Sequence, residues 1–438
     1  MTTKNDFEIA NLGPCRIQSP LQNIKHPDGR PLTFINESER ILVNDKLADL
    51  KDHRNSPGEL PSLELAGPRK MLFFDPARIR IGIVSCGGLC PGINNVIRDI
   101  VMTASYHYHV PKIYGFRYGY RGLVEKNGHI ELTPEMVKDI HERGGSFLAS
   151  SRGSQDTGRM VDRLAQLGIN ILFVIGGDGS MRGALAICKE IKNRELKISV
   201  VGVPKTIDND FKFMDQSFGF ATAYSKALDA IDGAHREAQG APNGIGLVKL
   251  MGRQSGFIAC AATLASNQVN FVLIPEIPFK LEGPNGFLEA LHERLKQRHH
   301  AVIVVAEGAG QDLLHNEGEA KDASGNIKLK DIGHYLAGQI RAYFNSINTE
   351  INLKYIDPSY IIRSVAANPP DSVLCTGLAI QAVHAAMAGK TEMVVAMYHR
   401  SLVHVPIHQA ISARNLVDPA GPLWLSVLGT TGQPIAFY

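Results

Sequence analysis

Beyond Pro76, short and nearly continuous apolar runs alternate with longer amphipathic stretches. The runs are IRIGIVS (79–85), ILFVIGG (171–177), ISVVGVP (198–204), GIGLVKLM (244–251), FVLIPE (271–276) and AVIVVAEG (301–308). Their β-branched, two-sided apolar character predicts parallel strands buried on both faces. The stretches 92–107, 180–192, 217–239, 284–299 and 370–387 predict the helices between them. Such alternation is that of βα units, and a doubly wound sheet places ligands beyond the carboxyl ends of its strands. No repeat of roughly 20 to 50 residues is visible, which argues against a solenoid. The first 75 residues have a different texture. Their last part, HRNSPGELPSLELAGPRK (53–70), is rich in Pro, Gly and charge and reads as extended chain leading into the core.

At 438 residues the chain is long enough for two or three layered domains. A net charge of +3 with no long basic run argues against nucleic acid as a partner. The start, MTTKNDFEIA, lacks the basic and apolar regions of a signal peptide, and no apolar run approaches the roughly 20 residues of a membrane span. The six cysteines (Cys15, Cys86, Cys90, Cys188, Cys260, Cys375) form no C-x-x-C spacing, so neither a zinc site nor a disulfide framework is expected. A reducing cytoplasm, without membrane association, fits these features.

Candidate chemistry sits at the predicted strand ends. Strand 79–85 runs into CGGLCPGINN, where consecutive glycines let the backbone approach a phosphate and the next helix offers its N-terminus. A tight turn without a ligand explains the same residues. In IGGDGS (175–180), Gly176 and Gly177 end a strand, Asp178 follows, and Ser180 can cap the next helix. Asp178 suits a magnesium ligand, because Mg²⁺ takes few carboxylates along with phosphate oxygens and water; a turn residue is the alternative. MAGKT (387–391) ends like a P-loop but has His384 where the first glycine is needed. GRQSG (252–256) places Ser255 one residue late for a nucleophile elbow.

PKTIDND (204–210) is the most informative segment, with Lys205, Thr206, Asp208, Asn209 and Asp210 on one strand exit. Two carboxylates two residues apart share a direction if the backbone is extended. One can then accept a proton from an attacking hydroxyl while the other orients it or touches a metal. Lys205 can neutralise a transferring phosphate and keep the aspartates ionised. A polar turn whose side chains satisfy backbone groups is the alternative. Other strand ends carry Arg152 (SSRGSQD), Arg253 (KLMGRQSG), Glu307 (VAEGAG) and Arg363 (YIIRS). An arginine fork suits phosphate and a carboxylate suits sugar hydroxyls, although each arginine taken singly is more often a surface or ion-pair residue. Met251 reads as packing.

Together GGLCPGINN, SSRGSQD, IGGDGS, PKTIDND, KLMGR, VAEGAG and YIIR, in that order over about residues 79–390, resemble the phosphofructokinase family. The resemblance implies two Rossmann-like doubly wound parallel-sheet domains, with the active site in the cleft between them. It further implies transfer of the γ-phosphoryl group of ATP to the 1-hydroxyl of fructose 6-phosphate, with Mg²⁺, as in glycolysis. The expected organisation is an N-terminal extension (1–75), a donor-binding domain (76–213, with the chain returning to it around 365–400), a sugar-binding domain (214–364) and a C-terminal segment (401–438).

By resemblance, Gly87 would offer its N–H to the transferring group, Arg152 would stabilise charge on it, and Asp178 would hold Mg²⁺. Gly177, Gly179 and Ser180 would complete the donor site. Asp208 would be the base, Thr206 and Asp210 would place substrate and metal, and Lys205 would join them in catalysis. Met251, Gly252, Arg253 and Glu307 would hold the sugar, and Lys354, Tyr360 and Arg363 its 6-phosphate. Bacterial allosteric members have glycine at Lys205, histidine at Tyr360, and an arginine from a neighbouring subunit at the position of Gly244. The chain is therefore more similar to the plant and trypanosomatid ATP enzymes and to the pyrophosphate-dependent branch. Pyrophosphate users place a second aspartate at the position of Gly179, whereas Lys205 is common among them. A reversible pyrophosphate-dependent phosphotransferase is the alternative, and a catalytically silent regulatory subunit the alternative of another class. A homo-oligomer, dimer or tetramer, is expected.

Overall fold

Each predicted run becomes a strand, with ends shifted by one to three residues: Arg80–Ser85, Ile171–Gly176, Ser199–Pro204, Gly244–Leu250, Phe271–Leu273 and His300–Ala306. The predicted strand over 271–276 stops early, at Leu273. The computed structural model describes residues 4–25, 27–47, 60–314 and 328–438, so positions 53–59 of the Pro- and Gly-rich stretch lie outside the described residues. The chain forms two units. One comprises Met1–Thr206, Phe211–Gly219 and Val365–Ala413; the other comprises Ile207–Asp210, Phe220–Ser364 and Arg414–Tyr438.

The first unit is built on a nine-stranded sheet. Its centre is parallel, in the order Met393–Tyr398, Ser199–Pro204, Ile171–Gly176, Arg80–Ser85, Lys112–Phe116. Antiparallel strands finish both edges. His129–Glu131 closes one side, and Ser401–Pro406, Ser62–Leu65 and Arg40–Leu42 close the other. The sheet is thus mixed rather than purely parallel, and the N-terminal extension supplies its last two strands on one edge. Part of the stretch read as extended chain is the strand Ser62–Leu65, anchored by a buried charge cluster. Glu64 receives Arg69 at 2.6 Å, Lys390 at 3.2 Å and His404 Nδ1 at 3.2 Å. Burial alone would raise the Glu64 carboxyl, but the hydrogen bond from His404 and the charges of Lys390 and Arg69 pull it down to about 2.

The second unit has an all-parallel sheet, ordered Phe271–Leu273, His300–Ala306, Gly244–Leu250, Asn352–Ile356. Helix Phe220–Gln239 buries Ala223, Ala227, Ile231, Ala234 and Ala238, spaced three or four apart along one face. These small residues let the helix lie close on the sheet. A side chain on Gly244 would run into the Ala238 carbonyl, so no arginine fits that position with this backbone. The parallel strands of both sheets send their exits into the segments singled out above. That is the α/β doubly wound arrangement the sequence implied.

Candidate active site

In the first unit, strand Arg80–Ser85 exits at Cys86 into a turn where Gly87 takes φ 88°, a conformation that favours glycine. The Gly87 N–H donates to the Ser151 carbonyl at 3.1 Å, and its own carbonyl accepts from Ser150 Oγ at 2.6 Å. The loop bearing the exposed Arg152 is thereby laced to the glycine turn. In this conformation the Gly87 N–H is engaged, so giving it to a ligand requires the bond to Ser151 to open. Lys205, at the exit of Ser199–Pro204, is buried, and its ammonium donates to the Gly88 carbonyl at 2.6 Å. A cation thus stands inside the glycine turn.

Gly177 leads directly into helix Asp178–Asn193 as its N-cap, without a side-chain cap bond. The expected capping by Ser180 is therefore corrected. The helix starts two residues earlier, and Ser180 is buried in its first turn with its N–H on the Gly177 carbonyl at 2.9 Å. The Asp178 carboxylate, 18% exposed, is held by the Arg182 guanidinium one turn on, at 3.1 Å. Its charge is favoured at the positive end of the helix dipole. A Cβ on Gly179 would meet nothing within 4 Å. Thr206 ends this part of the unit, its carbonyl accepting from Ser217 Oγ at 2.6 Å.

In the second unit the acidic pair does not meet the condition of an extended backbone under which its carboxylates would share a direction: Asn209 takes φ 56° and the chain turns between them. The two carboxylates still feel each other. Burial first, then the charges of Asp210 and Glu307, push the Asp208 carboxyl up to about 7. Its Oδ1 is sealed from solvent, the Arg253 N–H donates to the carboxylate, and the Asp208 carbonyl accepts from Ser255 Oγ at 2.9 Å. Asp210 is paired with Arg414, Nη1 to Oδ2 at 2.6 Å.

Strands Gly244–Leu250 and His300–Ala306 run in parallel register with Leu250 opposite Ala306, so Met251, Gly252, Arg253 and Glu307 leave the sheet side by side. Gly252 takes φ 130°, and the Ser255 carbonyl occupies the space a Cβ would need. Burial raises the Glu307 carboxyl, offset by the charges of Arg253, Lys249 and Arg363. Met251 is half-buried, in keeping with a packing role.

Sequence reasoning missed Lys249, although a lysine inside an otherwise apolar strand was a signal. Its ammonium reaches Asp331 at 2.9 Å and Asp357 at 2.8 Å. Asp357 in turn accepts the Ser359 N–H at 3.0 Å and Ser359 Oγ at 2.5 Å, fixing the start of the short helix Ser359–Ser364. That helix carries Tyr360, 74% exposed, and Arg363, whose guanidinium lies 4.7 Å over the Tyr360 ring. Lys354 does not join the strand-exit group. It pairs with Gly246, four residues before Leu250, and so stands about 13 Å back along the sheet.

Residues 80–386 match the family described as Phosphofructokinase. The chain is 49% identical to the ATP-dependent 6-phosphofructokinase of Amycolatopsis methanolica, over 99% of this chain and 96% of that protein. It is likewise 49% identical to ATP-dependent 6-phosphofructokinase 7 of Arabidopsis thaliana, over 84% of this chain and 76% of that one. Among solved structures, the pyrophosphate-dependent phosphofructokinase of Marinobacter aquaeolei superposes with a TM-score of 0.67 at 20% identity, covering 82% of this chain and 93% of that one. The last similarity concerns the fold alone.

Proposed function

This chain belongs to the phosphofructokinase family, and from that premise we propose that it transfers the γ-phosphoryl group of ATP to the 1-hydroxyl of fructose 6-phosphate. The products are fructose 1,6-bisphosphate and ADP. One observation carries the chemistry: a carboxyl whose protonation lies near neutrality, Asp208, stands at the exit of the strand that also delivers Lys205. General-base catalysis asks for this, since a base with a pKa near the working pH takes a proton most effectively.

In this reading Asp208 takes the proton of the 1-hydroxyl as the hydroxyl oxygen attacks, while Thr206 and Asp210 place the reacting groups. Lys205 and Arg152 neutralise the charge gathered on the transferring group. Met251, Gly252, Arg253 and Glu307 bind the sugar, and Tyr360 and Arg363 its 6-phosphate, without Lys354, which stands back along the sheet. Gly87, Gly177, Gly179 and Ser180 shape the donor site. Asp178 would hold Mg²⁺, which supplies charge neutralisation across the donor phosphates. The donor set fits that ion, because a single half-buried carboxylate at a helix N-terminus leaves the other positions to phosphate and water. A cytoplasmic homo-oligomer, dimer or tetramer, completes the proposal.

Support for ATP comes from the open space around Gly179 and from the relatives' ATP dependence. Lys205 in the glycine turn favours a second reading, in which pyrophosphate is the donor and the reaction is readily reversible. A silent regulatory subunit would be expected to lack Asp208 or Asp178, and both are present. Initial rates with ATP, ADP and pyrophosphate, each with fructose 6-phosphate and saturating Mg²⁺, test the reading. ATP is expected to give the highest kcat/KM. Higher kcat/KM with pyrophosphate would replace it by the second reading.

The sugar side yields its own expectation. Arg363→Ala should raise KM for fructose 6-phosphate on the order of 10-fold or more, the scale of a lost charge-assisted hydrogen bond, and leave KM for the donor within about twofold. Steady-state kinetics with each substrate varied in turn check this. A rise in donor KM alone would reverse the assignment of the two substrates.

A further inference from the structure

Arg414 lies beyond the residues that match the family, and its sequence context, SARNLVD, gives it no motif. The fold nevertheless returns it to the acidic pair. Its Nη1 is 2.6 Å from Asp210 Oδ2, in a pair where Asp210 is 10% and Arg414 31% exposed. The next residue adds a second tie, for the Asn415 N–H donates to the Asp210 carbonyl at 2.9 Å. Two residues on, the Val417 N–H donates to Glu276 Oε1 at 2.8 Å, and the same oxygen accepts the Gly256 N–H at 2.9 Å. Gly256 adjoins Ser255, whose hydroxyl holds the Asp208 carbonyl. Segment 414–417 therefore fixes the acidic turn from both ends, through Asp210 directly and through the Glu276 link to Ser255.

That turn needs fixing. Asp208, Asp210 and Glu307 bring three carboxylates together, and the turn at Asn209, in a left-handed conformation that asparagine accepts, sets the first two on either side of it. Without a cation of fixed geometry, either aspartate could turn toward the substrate. A guanidinium is planar and directional, so it holds a carboxylate in place as well as offsetting its charge.

We propose that Arg414 is a positioning residue for the phosphoryl transfer described above: it fixes the orientation of the Asp210 carboxylate, so that Asp210 places the reacting groups and Asp208 is the one that takes the proton of the acceptor hydroxyl. The inference rests on the fructose 6-phosphate kinase reading. Its test is kinetic and uses the full chain. Arg414→Ala should lower kcat on the order of 10²-fold, the scale of a misplaced reacting group, while KM for ATP and for fructose 6-phosphate each change less than about threefold. Arg414→Lys, which keeps the charge and loses the fork, should recover part of kcat. Guanidinium chloride at tens of millimolar should partly restore the Ala variant and leave the Asp210→Asn variant unrestored. If the Ala variant does not fold, Arg414→Gln carries the same kinetic and rescue expectations. Wild-type turnover of ATP and fructose 6-phosphate is measured alongside. Its absence would overturn the kinase reading, whereas normal wild-type turnover with an unimpaired Arg414 variant overturns only the positioning role. Equal losses in the Lys and Ala variants without guanidinium rescue, or a loss confined to KM, would also overturn that role.

Discussion

Asp208→Asn is expected to lower kcat by on the order of 10²-fold or more while leaving KM for fructose 6-phosphate nearly unchanged, and to make the ligand-free protein more stable. The kinetic half follows from removing the proton acceptor without changing the size of the side chain. The stability half follows from linkage. Burial, then the charges of Asp210 and Glu307, hold the Asp208 carboxyl at about 7, above its ordinary value of about 3.9. A carboxyl raised in the folded state penalises the fold wherever it must ionise. The penalty is absent below the unfolded value, grows as pH rises between the two, and is complete above about 7. Asparagine carries no such penalty. The gain in Tm of the Asn variant over wild type should therefore be largest at pH 8 and should vanish near pH 4. Thermal melts at the two pH values, alongside kcat, check both halves. A variant with near-normal kcat removes Asp208 from the role of base. A Tm gain that does not shrink toward low pH would show that its carboxyl is not held up by burial and its neighbours.

Lys112–Phe116, Asn352–Ile356 and Met393–Tyr398 are parallel strands that went unread, but the six that were read were the most legible part of the fold, because burial on both faces leaves an uninterrupted apolar run that needs no partner to be recognised. The antiparallel edges were not. Ser62–Leu65 contains Glu64, and a charged residue in a short segment reads as loop until Arg69, Lys390 and His404 are known to surround it. Those partners include residues more than 300 positions away. The same distance in sequence hid Arg414, which is 204 residues from Asp210. PKTIDND itself was legible as chemistry because no simple turn needs that collection of charges, but its shape was not. Asparagine tolerates the left-handed conformation without requiring it, and the turn at Asn209 is held by contacts on either side, through Ser255 and Arg414, that lie far off in sequence. The capping of the Asp178 helix failed for a local reason. With two glycines before Asp178, the backbone itself makes the entry, and no hydroxyl is required.

Gly179→Asp is expected to cut kcat/KM for ATP by on the order of 10²-fold or more, with a much smaller loss for pyrophosphate. The size follows from a carboxylate about 5 Å from a phosphate oxygen at an effective dielectric near 20, a repulsion of about 3 kcal/mol. The fold should not suffer. Gly179 is the second residue of its helix, its backbone is not in a glycine-only conformation, and a Cβ there meets nothing within 4 Å. An added negative charge at this helix terminus is favoured by the dipole, and replacing glycine within a helix is itself mildly stabilising. An unchanged or slightly higher Tm would therefore accompany the kinetic loss and separate it from misfolding. Pyrophosphate lacks the third phosphate and the nucleoside beyond it, so it presents less to the new carboxylate. Lys205, already buried in the glycine turn with its ammonium on the Gly88 carbonyl, supplies positive charge to either donor. The measurement is kcat/KM for both donors in wild type and variant, with Mg²⁺ and fructose 6-phosphate saturating. Equal losses for the two donors would mean that the Gly179 position faces only phosphates common to both, and the open space there would no longer explain a preference for ATP. A variant that keeps wild-type kcat/KM for ATP would take Gly179 out of the donor site, and Lys205 would then be the residue on which donor choice turns.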